Sequence, residues 1–307
     1  MSENARQWLS LNNFYRGKPL KDFEKKVAVI TGGANGLGRA FAEKAATLKM
    51  KLVLGDIREE PLQQAVAELK STGAEVVALA GDVSKADYLE ALAALATNSF
   101  GAVHCLFNNA GVGSGGLIWE NTVKDWEWVL NVNLWGVIHG VRTFTPLMLA
   151  AARNDPAYEG HIVSVSSIAG LIAPGLMGTY NVSKHAVVAH AESLYHDLAR
   201  IEPRIAASVL CPGFTPTGIS KSHISRPVDM QNADRPTDSM IKAQQMIEKA
   251  VSSGRLTASD VATVTFEAIR DRQFYILSHP NFMKLVKARL DDIAELRNPR
   301  DMFSLKD

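Results

Sequence analysis

The sequence predicts an α/β fold: one doubly wound domain with a parallel sheet of about seven strands, flanked by helices. Short apolar runs alternate with helical patterns along the 307 residues, which is typical of βαβ units. A glycine-rich turn follows the first run, and Asp56 and Asp82 follow the next two. Because parallel strands end at one edge of a sheet, these features would lie together there.

The individual elements follow from the same patterns. Strand-like runs begin at Val27 and then cover 51–55, 75–80, 102–107, 161–166, 205–210 and 274–278. Helical patterns cover 39–50, 60–72, 86–98, 122–152, 179–201, 241–252, 259–272 and 281–296. The composition of 154–160 indicates a loop. Crossovers between the parallel strands should be right-handed.

The domain boundaries come from composition. Residues 1–22 are expected to form an N-terminal tail, and 23–307 the folded domain with a C-terminal extension over about 279–307. The stretch 215–240 is polar, contains Pro216, Pro227 and Pro236, and is predicted to be an irregular, mobile lid. Long loops in compact domains are often functional. The alternative is a static surface excursion packed on the C-terminal tail.

Composition and charge exclude several classes of function. The chain is 47% hydrophobic and 21% charged, with a formal net charge of +1, so neither nucleic acid nor an anionic membrane is an expected partner. No run approaches the ~18 apolar residues of a membrane span. The N-terminus lacks the apolar core of a secretory signal, and a cytoplasmic location is expected. Cys105 and Cys211 lie in apolar runs, which favours two buried free thiols over a disulfide or a metal site.

The most informative motif runs from Thr31 to Gly38 and has the spacing T-G-x-x-x-G-x-G. Glycines allow a sharp turn and close approach of the backbone to a ligand. The helix that follows directs its free N–H groups and positive dipole end at the turn, which suits a phosphate. A tight strand-to-helix turn without a ligand is the alternative.

Asp56 lies about 20 residues beyond the glycine turn. A carboxylate there can accept hydrogen bonds from both ribose hydroxyls of an adenosine and would repel a 2′-phosphate, which favours NAD over NADP. Arg58 could swing in and weaken that preference. Asp82 is placed to meet an adenine amino group. For Asp56 the alternative is a helix N-cap or a solvated aspartate, and for Asp82 it is an N-cap of the next helix.

Tyr180 and Lys184 are four residues apart in a helical pattern and therefore share one face. An ammonium group near a phenol lowers the phenol pKa, so the tyrosine can exchange a proton near neutral pH. Ser167 could hydrogen-bond a substrate oxygen, with Ser166 as a rival. Asn133 falls in a predicted helix interior, where asparagine is unfavourable unless it has a function or is a satisfied buried amide.

Together with the Asn108–Gly111 tetrapeptide, in this order, these residues resemble the short-chain dehydrogenase/reductase family. The match covers 27–213 and continues loosely to Ser278. It implies a Rossmann-type domain in which Tyr180 is the general acid/base, Lys184 holds the nicotinamide ribose and Ser167 positions the substrate. Asn133 would hold a water of a proton relay. The remaining implied cofactor contacts are Gly32, Asn35, Gly36, Leu37, Gly38, Asp56, Ile57, Asp82, Val83, Asn109, Ala110, Gly111, Pro212, Gly213, Thr215 and Thr217.

The predicted function is hydride transfer between a nicotinamide cofactor, NAD rather than NADP, and a secondary alcohol or ketone. The expected pocket residues are small or apolar, which favours an uncharged, fairly bulky substrate. They are Val112, Gly113, Ser167, Ala169, Met177 and Phe214. The alternatives are an NADP-dependent ketoacyl or carbonyl reductase and a non-enzymatic NAD-binding regulator or scaffold. The resemblance suggests a homodimer or homotetramer that uses the helices starting at Thr122 and Thr179, with Trp126, Trp128 and Trp135 at the interface or in the core.

Overall fold

The computed structural model describes residues 20–301, in which seven parallel strands form one sheet. They are β1 (Val27–Thr31), β2 (Lys51–Asp56), β3 (Val76–Ala80), β4 (Cys105–Asn108), β5 (Gly160–Val165), β6 (Ile205–Leu210) and β7 (Tyr275–Ile276). Their order is β3-β2-β1-β4-β5-β6-β7. The strand order reverses between β1 and β4, and a ligand crevice is expected outside the carboxyl ends at such a point. The predicted fold is confirmed.

Nine α-helices flank this sheet within the described range. They are α1 (Gly36–Thr47), α2 (Glu59–Ser71), α3 (Ala86–Phe100), α4 (Val123–Leu130), α5 (Gly136–Asn154), α6 (Gly178–Ile201), α7 (Asp238–Ser252), α8 (Ala258–Asp271) and α9 (Met283–Ala294). Helices α1, α2 and α8 share one core cluster with the sheet, and α3, α5 and α6 share the cluster on the other face. Adjacent strand residues divide between the two cores: Ile30 packs with the first and Val29 with the second.

The structure corrects two predicted elements. The predicted helix 122–152 consists of α4, a π-helical turn at Asn131–Trp135, and α5. The predicted irregular segment 215–240 contains two 3₁₀ helices, Gly218–Ser225 and Val228–Met230, and its end is the first turn of α7. Short 3₁₀ turns have little periodicity that a sequence pattern could reveal.

Most of the predicted tail, residues 1–19, and the last six residues of the predicted extension, 302–307, lie outside the described part of the chain. Within residues 20–301, no helix is both long and apolar enough to cross a membrane.

Candidate active site

The glycine turn lies at the carboxyl end of β1, where α1 begins. Gly32 and Gly36 have φ values of +67° and +56°, a region that side chains other than glycine rarely adopt. A Cβ on Gly32 would lie 3.0 Å from the Cα of Ala110, so the backbone of the next strand end passes directly beside the turn. The first N–H groups of α1 have no partner within the helix and are available to an anion.

Asn109 braces this turn from β4. Its Nδ2 donates to the carbonyl oxygen of Thr31 at 2.8 Å, and its backbone N–H donates to the Thr31 hydroxyl at 3.0 Å. The Thr31 hydroxyl in turn donates to the carbonyl of Phe107 at 3.3 Å. Asn109 therefore holds the ends of β1 and β4 together beside the glycine turn.

Asp56 ends β2, and its carboxylate is buried at the edge of the cavity. It accepts hydrogen bonds from the N–H groups of Ala34 at 3.1 Å and Arg58 at 3.0 Å, and it forms an ion pair with the Arg58 guanidinium. The N-cap of α2 is Arg58, so the N-cap alternative for Asp56 is wrong.

Asp82 accepts hydrogen bonds from the backbone and the hydroxyl of Ser84, at 2.9 and 2.7 Å. Lys85 is the N-cap of α3, so Asp82 is not that cap either. The carboxylate instead shapes a local turn, and both Asp82 and Ser84 line the cavity.

Tyr180 and Lys184 lie in the first two turns of α6 and are buried. Lys184 Nζ donates to the carbonyl of Val165 at 3.0 Å and lies 5.7 Å from the centre of the Tyr180 ring. Burial lowers the pKa of Lys184 to about 8 and raises the pKa of Tyr180 to about 12, a rise that a hydrogen bond with Ser167 opposes. The lowering of the tyrosine pKa expected from the pair is therefore not seen in this arrangement, because desolvation dominates.

The structure separates the two rival serines. Ser166 Oγ donates to the backbone carbonyl of Lys184 at 2.8 Å and holds α6 against the end of β5. Ser167 Oγ accepts a hydrogen bond from the N–H of Ala169 at 3.2 Å and also forms a hydrogen bond with Tyr180. Ser167, rather than Ser166, is therefore the serine in contact with the tyrosine hydroxyl.

Asn133 lies in the π-helical turn and is fully buried. Its Oδ1 accepts from the N–H of Val112 at 2.8 Å, and its Nδ2 donates to the carbonyl of Val112 and the hydroxyl of Ser183, both at 3.0 Å. The side chain of Asn133 is therefore a buried amide whose oxygen and nitrogen both have hydrogen-bond partners, as one of the two sequence-based alternatives proposed. Asn133 Oδ1 and Lys184 Nζ nevertheless both lie near Gly111, each 3.3 Å from the point where a Cβ on that glycine would lie.

One cavity of about 490 Å³ brings the predicted site together. It is lined by every residue expected to contact cofactor or substrate, apart from Gly38 and Asn133, which lie behind the lining. The sequence analysis missed further lining residues on α4, on α7 and in the segment after β5. These are chiefly Trp128, Ile172, Ile247 and Val251. The apolar face of α7 was the one available signal, since Ile247 and Val251 are four residues apart.

The cysteine prediction is confirmed, because Cys105 and Cys211 are both free and buried. Among residues 20–301, no group of three histidine, cysteine or carboxylate side chains is arranged to hold a metal ion.

Comparison with known proteins decides the family. A family model described as short chain dehydrogenase matches residues 26–227. The chain belongs to the short-chain dehydrogenase/reductase family. It is therefore an oxidoreductase with a nicotinamide-nucleotide-binding Rossmann-type domain, as the resemblance implied.

Three proteins of this family are similar to the chain over most of its length. A short chain dehydrogenase/reductase from Burkholderia phymatum, whose crystal structure is in complex with NAD, is 51% identical and covers 92% of this chain and 99% of its own, with a TM-score of 0.89. The CLA biosynthesis dehydrogenase/reductase of Lactiplantibacillus plantarum is 34% identical over 90% of this chain and 95% of its own length. The C alpha-dehydrogenase of a Sphingobium species is 31% identical over 91% of this chain and 90% of its own length.

The residues of this chain fit a nicotinamide nucleotide. The glycine turn offers N–H groups at a helix start, and the close approach of Gly32 to Ala110 leaves no room for a side chain there. Asp56, Asp82, Tyr180, Lys184 and Ser167 all line the same cavity as this turn.

Proposed function

We propose that the protein interconverts a secondary alcohol and its ketone with a nicotinamide cofactor, preferentially NAD, and that Tyr180 is the general acid/base. The observation that carries the proposal is the convergence of Tyr180, Ser167 and Lys184 on the cavity that also contains the glycine turn. A purely regulatory NAD-binding protein would need the turn but not these three side chains together.

When bound, the cofactor supplies the hydride acceptor or donor. Ser167 holds the substrate oxygen beside the Tyr180 hydroxyl, which takes or returns the proton. The pKa of Tyr180, raised to about 12 by burial, must fall for this exchange at neutral pH. The Lys184 ammonium is the cationic group in place to lower it, because its own pKa of about 8 leaves it mostly protonated at neutral pH.

The substrate end of the cavity favours a bulky, uncharged molecule. Its wall is largely apolar: Val112, Trp128, Ile172, Met177, Phe214 and Ile219. Met230 from the lid packs with Val112 and Trp128 in a separate apolar cluster. Such a surface gains free energy by burying hydrocarbon, and desolvating a charged group against it is costly.

The test is a panel of short aliphatic, alicyclic and aryl secondary alcohols, each incubated with NAD and, in parallel, with NADP. The measurement is absorbance of the reduced nicotinamide, with Tyr180→Phe as the control. We expect turnover with a bulky alcohol and a higher kcat/KM with NAD. Binding of NADH with no turnover of any alcohol or ketone in the panel would favour the regulatory alternative, and a higher kcat/KM with NADP would favour the NADP-dependent reductase.

A further inference from the structure

The C-terminal extension is joined to the cavity wall through His279. The backbone N–H of Gly213, a lining residue of the cavity, donates to His279 Nδ1 at 3.1 Å. The hydroxyl of Ser278 lies 2.9 Å from the same nitrogen. Because a backbone N–H can only donate, Nδ1 is the acceptor and carries no proton. Burial lowers the pKa of His279 below its ordinary value, which the backbone of Phe214 partly opposes, so the ring is predominantly neutral at neutral pH.

Aromatic rings of the extension fill the space behind Gly213. A Cβ on this glycine would collide with the rings of Phe282 and His279. The Phe282 ring also meets the ring of Phe214 edge-on, with 6.1 Å between the ring centres. Gly213 and Phe214 both line the cavity, so residues 279–282 form the layer directly behind this part of its wall.

The same part of the wall is bonded to the chain beside Ser167. Ile168, the next residue, donates its N–H to the carbonyl of Pro212 at 2.8 Å. Ser167 itself forms a hydrogen bond with Tyr180. The wall segment 212–214 is therefore held on one side by the chain that carries the serine and on the other by His279.

We propose that His279 is a positioning residue, which fixes segment 212–214 as the wall against which the nicotinamide ring of the cofactor binds. A segment that is already ordered loses less conformational entropy when a ligand binds to it, so the hydrogen bond to Gly213 should strengthen binding of the ring. The inference rests on the proposed function in taking a nicotinamide nucleotide as the ligand, with its ring beside Ser167 and Tyr180.

The experiment measures the dissociation constants of NADH and of ADP-ribose by calorimetry, without substrate. ADP-ribose lacks the nicotinamide ring, so the ratio of the two constants isolates the contacts of that ring. The proteins are the wild type, His279→Leu, His279→Asn and His104→Leu. His104 is the matched control, because its Nδ1 also accepts a backbone N–H at 3.1 Å, that of Val27, at the end of β1 opposite the glycine turn.

We expect His279→Leu to weaken NADH binding about three- to tenfold and ADP-ribose binding less than about twofold, because one hydrogen bond to the wall is lost. His279→Asn should recover most of the NADH affinity, because its amide oxygen provides an acceptor in place of Nδ1. His104→Leu should leave the ratio of the two constants unchanged.

The proposal is overturned if His279→Leu weakens NADH and ADP-ribose binding equally or weakens neither. It is also overturned if His279→Asn loses as much NADH affinity as His279→Leu, or if His104→Leu shifts the ratio as strongly. Retained ADP-ribose binding shows that the variants are folded. A protein that shows the selective loss of NADH affinity but turns over no alcohol or ketone would support this inference and contradict the proposed function. Turnover of an alcohol by a protein whose ratio is unchanged in His279→Leu would do the reverse.

Discussion

Arg226 in the predicted lid forms an ion pair with Asp125 in the first turn of α4, with Nη1 2.6 Å from Oδ1. The two residues are 101 positions apart in the chain. The guanidinium also lies 4.9 Å from the centre of the Trp128 ring, and Trp128 lines the cavity. Burial opposes ionisation of Asp125, but hydrogen bonds led by that from Arg226 hold its pKa below the usual range. The predicted lid segment is therefore anchored beside the part of the cavity wall that Trp128 forms.

We predict that segment 215–240 becomes more ordered when cofactor and substrate bind and that Arg226 is one of its anchors. Arg226→Met should increase amide exchange within this segment, because it leaves the Asp125 carboxylate buried without its cation. The measurement is hydrogen exchange with and without NAD and a substrate analogue. Arg235→Met, an exposed arginine on the same segment, is the matched control. Equal protection with and without ligands would show that the segment is a static excursion.

We predict that Tyr180→Phe abolishes turnover and leaves NAD binding nearly intact. The phenol hydroxyl is the group placed to move the proton, while the ring would keep its packing in the first turn of α6. General acid/base groups contribute about 10²–10⁴-fold to rate. Steady-state kinetics and NADH fluorescence give the two quantities separately. Activity within tenfold of the wild type would show that another group carries the proton.

The parts of the site that depend on local patterns were predictable from the sequence. The T-G-x-x-x-G-x-G spacing indicates a tight turn between a strand and a helix. The i, i+4 spacing of Tyr180 and Lys184 places both side chains on one face of a helix. Both patterns depend only on residues that are close together in the chain. Contacts between distant residues were not predictable, because no local period encodes them. One example is the ion pair between Arg226 and Asp125, and another is the hydrogen bond from Ser166 Oγ to the carbonyl of Lys184.

The three-dimensional environment of a side chain also could not be predicted from the sequence. The pair pattern predicts a lowered pKa for Tyr180, yet burial raises it, because desolvation depends on what surrounds the ring in three dimensions. Asn133 shows the same limit. Its position in the chain indicated a special role, but only the fold shows that its side chain joins Val112 to Ser183.

We predict that the protein is a homodimer or homotetramer through helices α5 and α6 and the turn that precedes α5. Trp128 is buried inside the protomer, so it belongs to the core. Trp135 and Val182 are each 46% exposed and remain available to a partner. Trp135→Glu should shift the protein toward the monomer, because a charge would be buried at the interface. Light scattering at micromolar concentration measures the mass, and a monomeric wild type would contradict the prediction.

We predict that Lys184→Met abolishes turnover but stabilises the fold. Lys184 is 2% exposed, and burial lowers the pKa of its ammonium group from 10.5 to about 8. That shift corresponds to a cost of roughly 3 kcal/mol for keeping the charged form in the native state. Methionine has a similar length and no charge, so the variant should unfold at a higher urea concentration. Site residues often reduce stability in this way.

The stability difference between Lys184→Met and the wild type should depend on pH if the buried ammonium causes it. At about pH 7, Lys184 is protonated in both the native and the unfolded state, and the native state bears the full cost of the buried charge. As the pH rises from about 8 toward 10.5, the native lysine loses its proton first. The unfolded state then binds more protons, so the stability of the wild type increases relative to that of the variant. Urea unfolding of both proteins at about pH 7 and about pH 9.5 should show the advantage of Lys184→Met shrinking at the higher pH. A difference that stays constant, or a variant less stable than the wild type at about pH 7, would mean that the ammonium is not a net cost to the native state.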